Sequence, residues 1–150
     1  MDLIAALPYD FLVTDHVAEE IGNGFEDQIE RFNQAVAAGT LTQVALTSED
    51  ELEAFAQLTD SGRFGVGECS AIACAVCRGH ALAIDDRRAT TQAHQASNDL
   101  EVVRTEDLVV AMISEGLLTV DEADQMKDDW SQNHRFTLTF GSFQELLGDQ

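Results

Sequence analysis

The chain has 150 residues and one domain's worth of length, with 45% hydrophobic residues, which excludes a disordered polyelectrolyte. Its net charge is -20, from 28 acidic and 8 basic residues. That surface repels nucleic acid and anionic membranes wherever it is not locally reversed. Lys127 stands as the sole lysine beside seven arginines. This favours adaptation to high intracellular salt over the other reading, an acidic face built for a basic partner protein. At 1 M salt the Debye length falls to about 3 Å and the repulsion is screened.

Taken in chain order, residues 2–7 read as the end of a helix, broken near Pro8. No basic leader precedes them, and no run approaches the length of a membrane span. Phe11–Thr14 is a short apolar strand. The periodicity from Val17 predicts one helix, stopped by Gly39. Gln43–Thr47 is a second strand. Ser48 with Glu51 is a capping box opening a helix to about Leu58, and Thr59–Gly62 is a turn.

Gly65–Gly79, GVGECSAIACAVCRG, reads as a buried helix from Glu68 to Arg78 with Gly79 beyond its end. Cys69, Cys74 and Cys77 all fall in it. Cys74-x-x-Cys77-x-x-His80 has metal-ligand residue types, but a continuous helix does not converge them. The thiols read as small buried hydrophobes suited to a reducing cytoplasm. Ala81–Ile84 is a strand ending at Asp85-Asp86, and Arg87–Ser97 is helical. Glu101–Thr105 is a strand, and Glu106–Glu115 a helix stopped by Gly116. Thr119 with Glu122 opens a helix to about Trp130. Phe136–Phe140 alternates apolar residues with threonine, and Ser142–Leu147 forms a last short helix. Strands alternating with helices predict a single α/β domain with a parallel sheet.

A helix over 68–78 is about 16 Å long. The strand 81–84 is about 13 Å long and runs back antiparallel to it. Glu68 is therefore expected near the edge where Asp85 and Asp86 end their strand. In an open parallel sheet that is the ligand edge. Asp15, Glu19 and Glu20 follow the first strand, and Thr105, Glu106 and Asp107 follow the last. Clustered carboxylates repel, and a hard cation such as Mg²⁺ or Mn²⁺ relieves the repulsion through oxygen ligands. Arg87, Arg88 and Arg104 lie beside the acids and suit phosphate oxygens. Each acid also has a local reading. Glu68 is favourable at a helix N-terminus, and Asp85 or Asp86 suits a helix cap. The chain carries no G-x-G-x-x-G and no P-loop, so a nucleotide-cofactor domain has no support.

Four segments in this order resemble PIN-domain proteins, in particular a branch described as uncharacterised nucleic-acid-binding proteins. They are Val-Ala-Glu-Glu-Ile over 17–21, GVGECSAIACA over 65–75, ALAIDDRRA over 81–89 and VVRTEDLVVAMISEG over 102–116. The resemblance runs from about residue 2 to residue 147. It implies a three-layer α/β/α sandwich with a central parallel sheet. It also implies a Mg²⁺- or Mn²⁺-dependent ribonuclease, often a toxin held by a small antitoxin, and often a homo-oligomer. Carried over, the metal-binding and catalytic acids match Glu20, with Glu19 adjacent, Glu68, and Asp85 or Asp86; Thr105 matches a polar site residue, with Arg87 and Arg88 placed for phosphate. The family opens with a strand carrying an aspartate in a D-T-S or D-T-N pattern. Met1–Leu7 matches the region after that strand, and Asp2 is a poor substitute. The first strand and its acid are thus expected to be absent, through truncation, a misplaced start or divergence. Two strand edges would then lie open for a second protomer. The expectation is an impaired ribonuclease or, alternatively, a non-catalytic interaction module for a basic partner.

Overall fold

The computed structural model describes residues 2–148, which form two units, one of Tyr9–Val103 and one of Asp2–Pro8 with the chain from Arg104 onward. In the first unit the order is β1 (Phe11–Thr14), α2 (Asp15–Gly22), α3 (Glu26–Ala37), β2 (Leu41–Val44), α4 (Glu49–Asp60), α5 (Val66–Arg78), β3 (Leu82–Ala83), α6 (Arg87–Ala96) and β4 (Val102–Val103). The second unit holds α1 (Asp2–Ala5), α7 (Thr105–Ser114), α8 (Val120–Asn133) and a closing 3-10 turn at Phe143–Leu146.

Among the described residues every strand pair is parallel, as the alternation of strands and helices predicts. The strands form two ladders of two: β1 with β2, in register from Phe11–Leu41 to Thr14–Val44, and β3 with β4, pairing Leu82 with Val102. The ladder β3–β4 is shorter than the expected strands, because only two residues of each remain paired.

Helix α5 is the centre of the first unit. Its residues are small: Cys69, Ser70, Ile72 and Ala73 have no exposed surface, and Gly67, Cys74 and Ala75 are buried. Small side chains let neighbours approach from several directions, and α5 packs on α2, α4, β1 and β3. Ile72 and Ala75 join Leu82, Ala93 and Leu100 in one apolar cluster. A buried hydroxyl pair, Thr14 Oγ1 and Ser70 Oγ at 2.6 Å, ties the end of β1 to α5. Gly79 closes the helix at φ 67°, a conformation that costs a Cβ-bearing residue energy.

The far end of α5 is held by charge. Arg78 Nε donates to Glu51 Oε1 at 2.5 Å, and its Nη2 donates to the Ala45 carbonyl at 2.7 Å. Glu51 is 3% exposed and also accepts from the Thr47 and Ser48 amides, completing the expected capping box. The Arg78 guanidinium, then these two amides, hold its carboxyl down at about 2 from an ordinary 4.5.

Several sequence expectations change here. The periodic stretch from Val17 is two helices, α2 and α3, because Gly22-Asn23-Gly24 ends the first. The Asn23 amide and side chain both donate to Glu19 O there. The second strand starts earlier than expected, at Leu41; α4 runs to Asp60, and the expected turn over Thr59–Gly62 follows its end, the Gly62 amide donating to Thr59 O at 3.0 Å. Phe136–Phe140 pairs with no strand among the described residues. Instead, Phe136 meets Trp130 edge-on and Phe140 meets Phe143. Cys69 and Cys74 are buried as expected, and burial raises both thiols; Cys77 is exposed.

In the second unit, Val109, Ala123 and Phe143 form the core. Lys127 is nearly buried on α8. Its Nζ donates to the Phe140 and Gly141 carbonyls and lies 5.4 Å from the Phe140 ring centre. Asp124 accepts from Ser142 Oγ and the Phe143 amide, so Asp124 and Lys127 of α8 both fasten the tail. No described helix is long and apolar enough to cross a membrane.

Glu51 links stability to acid. Its folded pKa lies below the unfolded value, so its contribution is complete above about 4.5 and is lost as pH falls toward about 2. Glu51→Gln should cost about 2 kcal/mol near neutral pH, the scale of charge-assisted hydrogen bonds. The gap between wild type and variant, measured by urea unfolding, should narrow progressively below pH 4.5.

Candidate functional site

The site is built where α2 meets the head of α5. Glu20 lies in the last turn of α2, exposed, one helix on from β1. Its Oε1 accepts from the Gly67 amide at 2.8 Å. Glu68, in the first turn of α5, folds back so that its Oε2 accepts from the Gly65 amide at 3.1 Å. The two carboxylates converge: both come within 4 Å of the point where a Gly65 side chain would begin. Two like charges meet beside the positive end of a helix, whose unpaired amides they neutralise.

The glycines explain the spacing of Gly65-Val-Gly67-Glu68. A Cβ on Gly67 would lie 2.5 Å from Glu20 Oε2 and 2.7 Å from its carboxyl carbon, closer than atoms can sit. Gly67 makes room for the carboxylate of another element, 47 positions away in sequence. The signal was a glycine inside a first helical turn, where it lowers helix propensity by about 1 kcal/mol and has no turn to serve.

The other expected residues have separate tasks. Asp86 caps α6, its Oδ1 accepting from the Arg88 amide at 2.8 Å and the Ala89 amide at 2.9 Å. Asp85 precedes it on the surface with Arg87 following at the start of α6. Asp15 accepts from Gln43 Nε2 at 2.7 Å, bridging the start of α2 to β2. Arg104 stands 3.7 Å from Glu106, and its amide donates to Asp107, so this trio is a local cap of α7. Thr105 opens α7 in the second unit. Among the described residues no three of His, Cys, Asp and Glu gather as a metal-binding group, and this includes Cys74, Cys77 and His80.

The donor set fits a hard cation only in part. Glu20 and Glu68 each have one oxygen on a backbone amide, and Glu20 Oε2 lies against Gly67. Mg²⁺ is commonly held by one or two carboxylates, with water and substrate phosphate completing the shell. Two carboxylates meet that minimum, and thiolate or imidazole chemistry is not offered at this point.

Parallel strands, covering helices and an acidic pair at a helix head define an α/β domain with its carboxylates gathered at one helix end. A family model for the PIN domain matches residues 1–139, and the chain belongs to the PIN-domain family. No curated protein and no solved structure gives a significant match.

The Glu20–Gly67 contact predicts a non-additive pair. Gly67→Ala should expel the Glu20 carboxylate and cost about 1 kcal/mol, the scale of the lost hydrogen bond. In a Glu20→Ala background the same change should be neutral or stabilising, because alanine is the better helix former. A denaturation double-mutant cycle reads the coupling, and strictly additive effects would rule the contact out.

Proposed function

We propose that the chain is one PIN domain, spanning both units, that acts on RNA through the acidic pair Glu20 and Glu68. The convergence of these two carboxylates across Gly65 and Gly67 carries the reading, and the family match across residues 1–139 supports it. Glu20 and Glu68 would hold Mg²⁺ or Mn²⁺, with Asp85 and Asp86 flanking the same function from the start of α6. A divalent ion, when bound, supplies Lewis acidity at a phosphodiester. The chain's own part is positional. The Gly67 and Gly65 amides fix one oxygen of each carboxylate and so hold the pair together at the α5 head. Arg87 and Arg88 are the proposed phosphate contacts.

Cleavage of a generic single-stranded RNA should require Mn²⁺ or Mg²⁺ and should fall by about 100-fold or more in Glu68→Gln at high salt. That is the scale of loss when a positioned electrostatic group is removed. Unchanged cleavage would dismiss Glu68 from the site.

One observation favours a second reading. With no group of three acids among the described residues, the domain would serve as a non-catalytic module whose acidic surface holds a small basic protein of the antitoxin kind. Purification from the native cytoplasm should then recover a basic partner in constant ratio. A solitary chain, or one associated only with its own copies, would count against it.

A further inference from the structure

In a chain with 28 acids, one concavity of the first unit has none in its lining. It measures about 400 Å³, a size typical of small-ligand clefts, and is walled by Arg63, Phe64, Arg88, Thr91 and Gln92. Arg63 and Phe64 come from the loop between α4 and α5. Arg88, Thr91 and Gln92 stand at i, i+3 and i+4 on α6, so they share one helix face. Among the described residues the arginines with carboxylate partners are Arg78 and Arg104. Neither Arg63 nor Arg88 has one, although the surrounding surface is rich in acid. Phe64 contributes a half-buried aromatic face. The Gln92 side-chain amide accepts and donates no hydrogen bond among the described residues, and Thr91 Oγ1 donates to Arg87 O while keeping its acceptor lone pair.

We propose that this cleft binds one nucleotide unit of single-stranded RNA. The Arg63 and Arg88 guanidiniums take the phosphate, Phe64 stacks on the base, and Gln92 hydrogen-bonds a base edge or ribose. The position follows from the loop. Phe64 is followed directly by Gly65, whose amide holds the Glu68 carboxylate, so a strand seated here leads its neighbouring phosphodiester to the acidic pair. A free guanidinium pair in an acid-free pocket reverses the local field that excludes RNA from the rest of the surface. The substrate class rests on the nuclease reading above, but the cleft is tested by binding alone.

The test uses fluorescence anisotropy with a labelled single-stranded oligouridylate and oligoadenylate. The Glu68→Gln chain in EDTA is used so that no cleavage intervenes, at salt high enough to screen the remaining acids. Arg63→Ala and Arg88→Ala should each weaken binding about ten-fold, and the double variant about 100-fold, as expected for charge-assisted phosphate contacts. Phe64→Ala should weaken it, and Phe64→Trp should restore it. Arg31→Ala, an exposed arginine on α3 outside the cleft, should leave it within about two-fold and serves as the charge control. Equal losses in Arg31→Ala and Arg63→Ala would overturn the cleft in favour of net charge. Displacement of the RNA by polyglutamate at equal phosphate and carboxylate concentrations would overturn RNA in favour of an acidic protein. Metal-dependent cleavage that survives in Arg63→Ala/Arg88→Ala with unchanged binding would overturn the cleft while leaving the acidic pair standing. Normal cleft-dependent binding without any cleavage would do the reverse.

Discussion

The first unit is organised by the close approach of a carboxylate to a helix backbone, Glu20 on the Gly67 amide. This contact requires a residue without a side chain inside the first turn of α5, and it fixes how near α2 can come. Once α2 is set against α5, the buried Thr14–Ser70 hydroxyl pair can form at the end of β1, and Ser70 Oγ can also donate to the Gly67 carbonyl at 2.8 Å. At the opposite end Arg78 locks onto Glu51 and Ala45. The helix between is almost free of bulky side chains, so its position is defined by polar contacts at its two ends as much as by apolar fill.

With eight basic residues against 28 acids, where each positive charge goes is informative. Arg78 and Lys127 are used inside the two units, one on a nearly buried glutamate and the other on backbone carbonyls. Arg104 answers the acid two residues on. Burial explains the first two: a charged group is desolvated at a cost, and pairing or hydrogen bonding must offset it. The arginines lining the cleft beside α6 have no such structural employment. Arg31, Arg87 and Arg135 also lack a carboxylate partner among the described residues, so what distinguishes Arg63 and Arg88 is that they line one cleft together.

Much of the local structure was legible. Ser48 with Glu51 and Thr119 with Glu122 announced helix starts that form as reciprocal caps, because those side chains bond amides three residues away. Gly79 announced the end of α5 for an equally local reason. The parallel α/β class followed from the alternation of elements. Local rules misjudged the segment from Val17, where apolar periodicity continues across the Gly22–Gly24 break. They also overestimated the strands near 81–84 and 101–105, whose length is set by what pairs with them.

The sequence alone determined which acids were available and that Glu68 heads a buried helix, since capping, periodicity and small-residue content are properties of neighbouring residues. Glu68 looked at first like either a cap or a ligand, and its bond to the Gly65 amide shows that one oxygen does the capping. Only the tertiary structure decided which acid joins it. Glu20 meets it through a gap left by Gly67, whereas Asp86 turns its Oδ1 to the amides of α6. The Arg63–Arg88 cleft was likewise invisible in the chain, because two segments 25 residues apart become neighbours only once α6 packs back toward the loop before α5. Long-range contact of this kind depends on the packing of whole elements, and no window of sequence contains it.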